Sequence, residues 1–187
     1  MNRALFLDRD GVINIDHGYV YKINEFEFIN GIFETVQLAI FLGYIPIIVT
    51  NQAGIGRGYY TERQFLNTCD WMIEKFSDKK IPIRAVYYCP FHPDGLPPYN
   101  IVNHPDRKPN PGMLIRAARD HDIDLSKSVL IGDQFSDHLC AKAAGVPDIG
   151  AFGSANFQPP ATAALPDHAA AQNWLRKISS DEPTSNR

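Results

Sequence analysis

Four short apolar runs constrain this chain more than any other feature: "ALFL" (4–7), "IPIIVT" (45–50), "AVYYC" (85–89) and "SVLIGD" (128–133). Each is rich in β-branched or aromatic residues and apolar on both faces, the pattern of strands covered on both sides in a parallel sheet. Helical patterns separate them. "GIFETVQLAIFLG" (31–43) ends on a glycine, and "TERQFLNTCDWMIEKF" (61–76) opens with Thr61 and Gln64 at capping-box spacing. "NPGMLIRAARDHDI" (110–123) offers Asn110 as N-cap and Pro111 in the first turn, and "SDHLCAKAAG" (136–145) closes on Gly145. Strand and helix alternate, so the expected fold is α/β: a doubly wound, mainly parallel sheet in three layers.

The domain expected is a single core over 1–153, including a loop at 89–109. A small, Pro-rich extension with one docking helix follows at 154–178, and a disordered tail at 179–187. The formal net charge of −3 provides no general basic field for nucleic acid or an anionic membrane. Three cysteines suit a reducing compartment, and the four apolar residues near the N-terminus are too few for a signal peptide or a membrane span. A cytoplasmic monomer is the expectation.

Polar residues gather at the strand ends. Asp8 and Asp10 follow the first strand, Thr50 and Asn51 end the second, Asp133 ends the fourth, and Lys108 precedes the helix at 110. Open α/β sheets bind ligands at this carboxyl edge. Clustered aspartates make a hard oxygen site for Mg²⁺, and a carboxylate can attack phosphorus while a hydroxyl and an ammonium hold the shifting charge. DxDG also resembles part of a calcium loop, but counting from Asp8 puts Tyr19 where the twelfth-position Glu belongs.

"FLDRDGVI", "VTNQAGIGRG", "RKPNPGM" and "IGDQFSD", in that order, resemble the haloacid dehalogenase superfamily of phosphatases. More narrowly, "DRDGVINIDHGYVYKINEFEFINGIFE" and "TNQAGIGRG" are similar to the D-glycero-D-manno-heptose-1,7-bisphosphate 7-phosphatases, sisters of the histidinol-phosphate phosphatases. The resemblance spans about residues 3 to 150. It implies a Rossmann-like fold and a Mg²⁺-dependent phosphomonoesterase acting on a small sugar phosphate. It also implies roles: Asp8 as nucleophile; Asp10 as acid and then base, with its carbonyl on Mg²⁺; Asp133 as the third metal ligand. Thr50 and Lys108 bind the transferring phosphoryl group, and Asp137 orients a metal water or Lys108. Asn51, Gln52 and Arg107 lie near phosphate or sugar. Arg57 is either a contact to a second phosphate or a solvated loop arginine, and His17 either a site residue or a loop-ordering donor. Gln134 stands where nearest relatives are expected to carry a Lys or Arg.

Only 39 residues separate Asp10 from Thr50, and 57 separate Thr50 from Lys108, so no cap domain is expected in either interval. Specificity then falls to rim loops at 14–29, 51–60 and 89–107. The expected reaction removes the C7 phosphate of a heptose 1,7-bisphosphate in nucleotide-heptose synthesis for lipopolysaccharide or capsule. Histidinol-phosphate phosphatase, polynucleotide 3′-phosphatase and a silent binding module are the alternatives. The net charge argues against the second, and the intact Asp8, Asp10, Lys108 and Asp133 argue against the third.

The stretch "YCPFHPDGLPPYNIVNHPDRKP" (88–109) raises a separate metal question. In the resembled family this loop often carries zinc on a Cys-x-His and a Cys-x-Cys pair. Here Cys89, His92, His104 and Asp106 form a chemically possible set, but one thiolate is poor provision for zinc. The expectation is a metal-free loop, with zinc as the alternative. Seven of fourteen prolines lie between Pro90 and Pro111, and they lower the unfolded loop's entropy. Tyr87, Tyr88, Phe91 and Tyr99 are expected to pack beneath it as one apolar cluster.

Overall fold

The computed structural model describes residues 1–153 and 158–181. Among the described residues, six parallel strands form one sheet in the order β3-β2-β1-β4-β5-β6. They are β1 (Arg3–Leu7), β2 (Tyr44–Asn51), β3 (Ala85–Cys89), β4 (Val129–Gly132), β5 (Asp148–Phe152) and β6 (Ala163–Leu165). The helices are α1 (Ile32–Phe41), α2 (Ala53–Gly56), α3 (Glu62–Asp78), α4 (Gly112–His121), α5 (Phe135–Ala144) and α6 (His168–Ser180). β1 is central, with Leu7 in register with Ile48 on one side and Ile131 on the other.

Burial explains the four apolar runs. Leu5 and Leu7 face the core that holds Val36, Met72, Phe76 and Leu175, while Ala4 and Phe6 face Met113, Leu114, Cys140 and Ala141. Successive residues thus point into opposite cores, so the runs carry no polar face. Helix α6 packs on α1: its buried His168 donates from Nε2 to the Val12 carbonyl (2.9 Å), and Thr35 reaches the His168 carbonyl (3.3 Å).

Several local expectations are corrected. Asn110 does not cap α4; Pro111 holds that position, and the Asn110 amide turns back to Asn103 Oδ1 (2.8 Å) and the His104 carbonyl (2.9 Å). Helix α5 starts one residue early, at Phe135, because Gln134 takes the N-cap and donates its backbone N–H to Asp137 Oδ2 (3.0 Å). Within the segment expected as a Pro-rich extension, Ala163–Leu165 adds a sixth strand by pairing with β5. Ser179 and Ser180, expected in a tail, continue α6. Residues 154–157 and 182–187, with the rest of that expected tail, lie outside the described residues. Thr61 caps α3 as anticipated, accepting from the Gln64 N–H (3.2 Å) while Gln64 Oε1 accepts from the Thr61 N–H (2.8 Å).

Candidate active site

The parallel sheet delivers Asp8, Thr50 and Asp133 to one edge because each lies at or just past the carboxyl end of its strand. Lys108, from the loop before α4, reaches under them and is buried. Its Nζ lies 3.0 Å from Asp8 Oδ1 and 2.6 Å from Asp137 Oδ1, and donates to the Val49 carbonyl at 2.9 Å. Asn51 fixes the loop that carries this lysine: its amide accepts from the Lys108 N–H and donates to the Lys108 carbonyl, both at 3.1 Å. A cleft of about 360 Å³ opens over these groups, lined among others by Asp8, Asp10, Thr50, Gln52, Asp133 and Gln134.

Among the described residues, one group of three or more potential metal ligands lies within 4.8 Å: Asp8, Asp133 and Asp137. Three carboxylates against the single Lys108 ammonium leave a formal excess of negative charge in a buried place, which a hard divalent cation would offset. Burial pushes the Asp8 carboxyl well above its ordinary range; Lys108 opposes this, and Asp137, Asp133 and Asp10 add to it. Burial, then Asp137, pushes Asp133 up to about 6. Asp133 Oδ2 accepts from Gln134 Nε2 (2.7 Å), while its buried Oδ1 has no hydrogen-bond partner among the described residues. That orphaned oxygen fits a metal ligand. Burial works against the Lys108 charge, but Asp137 and then Asp8 outweigh it, so its pKa rises above the usual lysine range.

Asp10 is clamped by Gln52, a sequence candidate, and by Arg9 and Asn14, which the sequence reading overlooked. Arg9, fully buried, places Nη2 at 2.6 and 2.7 Å from the two Asp10 oxygens and Nε at 3.1 Å from Oδ1. Asn14 donates to Oδ1 and Gln52 to Oδ2, each at 3.0 Å. The one available signal for Arg9 was its position between two aspartates, since an arginine at the start of a buried turn needs a partner. Gly11 follows with φ +81°, and a Cβ there would lie 2.4 Å from Asp133 Oδ2, so the turn requires glycine to let the first and fourth strand ends meet.

The other sequence candidates do not line this cleft. Arg57 donates to Tyr19 Oη (2.7 Å) and lies beside the His92 ring (Nε2 at 3.0 Å) and Asp94 (3.7 Å). Arg107 donates to the Phe91 carbonyl (3.0 Å). Exposed His17 stands 3.9 Å from Glu27.

Cys89, His92, His104 and Asp106 do not contribute three ligand atoms to one point. His92 Nδ1 accepts from the Asp94 N–H, His104 Nδ1 from the Asp106 N–H, and Asp106 pairs with Arg116 at 3.3 Å. His104 stacks on Phe91 with centroids 3.9 Å apart. The expected four-ring cluster is split, because adjacent strand residues face opposite ways: Tyr88 packs on Phe65, Tyr87 bonds Asp120, and Phe91 meets Tyr99.

Comparison with known proteins agrees with this geometry. The HAD-hydrolase-like family model matches residues 106–153. The D-glycero-alpha-D-manno-heptose-1,7-bisphosphate 7-phosphatase of Burkholderia mallei is 53% identical over 78% of this chain and 77% of its own. The D-glycero-beta-D-manno-heptose-1,7-bisphosphate 7-phosphatase of Pasteurella multocida is 44% identical over 78% and 79%. Among solved structures, the D,D-heptose 1,7-bisphosphate phosphatase of B. bronchiseptica complexed with magnesium and phosphate superposes with a TM-score of 0.81 at 26% identity, covering 94% of this chain and 99% of that one. With motifs, fold and relatives in agreement, the chain belongs to the heptose-1,7-bisphosphate 7-phosphatase family of HAD-like hydrolases.

Proposed function

We propose that this protein hydrolyses the C7 phosphate of D-glycero-D-manno-heptose 1,7-bisphosphate through an aspartyl-phosphate at Asp8. The observation that carries the reading is Lys108 set between Asp8 and Asp137 beneath an acidic cleft. Asp8, Asp133 and the Asp10 carbonyl would hold Mg²⁺, which when bound neutralises charge on the phosphoryl oxygens. An Asp8 oxygen attacks phosphorus, the P–O bond to the sugar breaks, and Asp10 gives its proton to the departing alkoxide. Asp10 then takes a proton from water as that water attacks the aspartyl-phosphate, freeing phosphate and restoring Asp8. Lys108 and Thr50 hold the equatorial oxygens throughout.

The relative named for the α anomer shares more identity with this chain than the one named for the β anomer, which supports an α preference. The rim loops, not a cap, would select the sugar. A monomeric, cytoplasmic enzyme supplying heptose for surface polysaccharide fits this chemistry; among the described residues no helix is long and apolar enough to cross a membrane. Phosphate release from the α- and β-1,7-bisphosphates and from histidinol phosphate tests the reading. The highest kcat/KM should fall to the α-bisphosphate. Faster turnover of histidinol phosphate would overturn the sugar assignment.

A further inference from the structure

The Asp10 clamp extends one residue further, to Tyr60, whose hydroxyl reaches Asp10 through Gln52. Gln52 donates from Nε2 to Asp10 Oδ2 and to Thr50 Oγ1, both at 3.0 Å, so one amide joins the group that handles the proton to a hydroxyl of the phosphoryl site. Asp10, when ionised, can only accept, which forces the Gln52 amide to present its N–H₂ there and its oxygen to the opposite side. On that opposite side Tyr60 Oη donates to Gln52 Oε1 at 2.6 Å. Both residues are largely buried, in the wall of the cleft.

Tyr60 is itself held firmly. Its ring stacks on Tyr21, with centroids 4.7 Å apart and planes 12° from parallel, and joins Ile55, Phe65 and Cys69 in a small core. Gly54 makes room for it: a Cβ on Gly54 would lie 2.1 Å from the ring carbon Cε1 and 2.8 Å from Oη. The first glycine of "NQAGIGRG" therefore makes room for a tyrosine six residues on. Burial also drives the Tyr60 phenol pKa upward, keeping it a donor across the working pH range.

We propose that Tyr60 is a positioning residue for proton transfer, acting through Gln52 to hold Asp10 in line with the leaving alcohol. Donation into Gln52 Oε1 fixes which way the amide faces, so that its N–H₂ meets Asp10 and Thr50. Losing the phenol hydroxyl leaves the ring and the fold in place but slackens one side of the Asp10 clamp. The proposal rests on Asp10 being the acid of the reaction.

Leaving-group dependence is the test. A sugar alkoxide departs only with a proton, whereas p-nitrophenolate departs without one, and kcat/KM reports the first irreversible step, cleavage of the substrate ester. Tyr60→Phe should lower kcat/KM for the heptose bisphosphate by about 10-fold or more and that for p-nitrophenyl phosphate by less than about 3-fold. Asp10→Asn should show the same selectivity with a larger loss. In a Gln52→Ala background, Tyr60→Phe should cost nothing further, since two members of one chain are not additive. Equal losses on both substrates, or full additivity with Gln52→Ala, overturns the Tyr60 role while the selectivity of Asp10→Asn stands. An Asp10→Asn variant without leaving-group selectivity overturns the Asp10 assignment, and this inference with it.

Discussion

Lys108 Nζ and Asp137 Oδ1 lie 2.6 Å apart with 1% of either side chain exposed, closer than Lys108 is to Asp8. The ammonium is thus anchored from the side of α5 and leans on Asp8 from that anchor. Removing one partner of an enclosed pair costs about 3–5 kcal/mol when the other charge is left alone; Lys108 keeps Asp8 at 3.0 Å, which brings the cost to about 1–3 kcal/mol. Asp137→Ala should lose stability on that scale in urea unfolding. Its kcat should fall by about 10- to 100-fold, as for groups that orient others at a metal or phosphate site. A loss below about 1 kcal/mol, the range of a surface pair, would mean that Asp8 alone suffices to hold the ammonium.

The acidic cluster predicts that Mg²⁺ stabilises the protein as well as activating it. A ligand that binds the native state raises stability by about 2.7 kcal/mol at a hundredfold excess over its Kd. Thermal unfolding should therefore shift upward with Mg²⁺, and excess chelator should abolish phosphate release. Asp133→Asn removes the carboxylate whose Oδ1 is orphaned, so its unfolding temperature should be nearly insensitive to Mg²⁺. An Asp133→Asn protein that keeps the full Mg²⁺ shift would place the ion elsewhere.

Asp8→Asn should be inactive and, in chelator, more stable than the parent. The Asp8 carboxyl is raised in the folded protein, chiefly by burial. A raised carboxyl opposes folding once pH exceeds its unfolded value, because the folded state resists losing the proton. The neutral amide removes that opposition, and a gain of about 1 kcal/mol near neutral pH is expected, typical of relaxing a functional site. Urea unfolding of the two proteins without metal measures it; an equal or lower midpoint for Asp8→Asn would show that the Lys108 contact outweighs burial.

What could be read from the sequence divides along physical lines. The first four strands were legible because β1, β2, β3 and β4 are continuous apolar runs, and the cap at Thr61 because a capping box is a contact three residues long. The strands β5 and β6 escaped: "DIGAF" is diluted by a glycine, and "AAL" spans three residues whose strand character comes only from pairing with β5. Asp8, Thr50, Lys108 and Asp133 could be placed at one edge because parallel strands end together. Arg9, Asn14 and Tyr60 could not, since their partners are set by how loops fold over one another. The same limit applies to Arg57, whose contacts Tyr19 and His92 lie 38 and 35 residues away along the chain.

His168 should make stability fall as pH drops. It opens α6 buried against Phe152, with centroids 4.5 Å apart, and its Nδ1 has no hydrogen-bond partner among the described residues. Burial lowers its pKa from 6.5, and the Val12 carbonyl and Asp167 oppose the shift only in part. The unfolded chain therefore takes up a proton at His168 before the folded one does. Stability from this residue is complete above pH 6.5 and declines below it, down to the depressed folded pKa, with a slope approaching about 1.4 kcal/mol per pH unit. His168→Gln keeps a donor for Val12 but cannot titrate, so the difference in unfolding free energy between parent and variant should change between pH 7.5 and about pH 5 in the parent's disfavour. A difference constant across that range would show that His168 takes up its proton equally readily in the folded and unfolded chain.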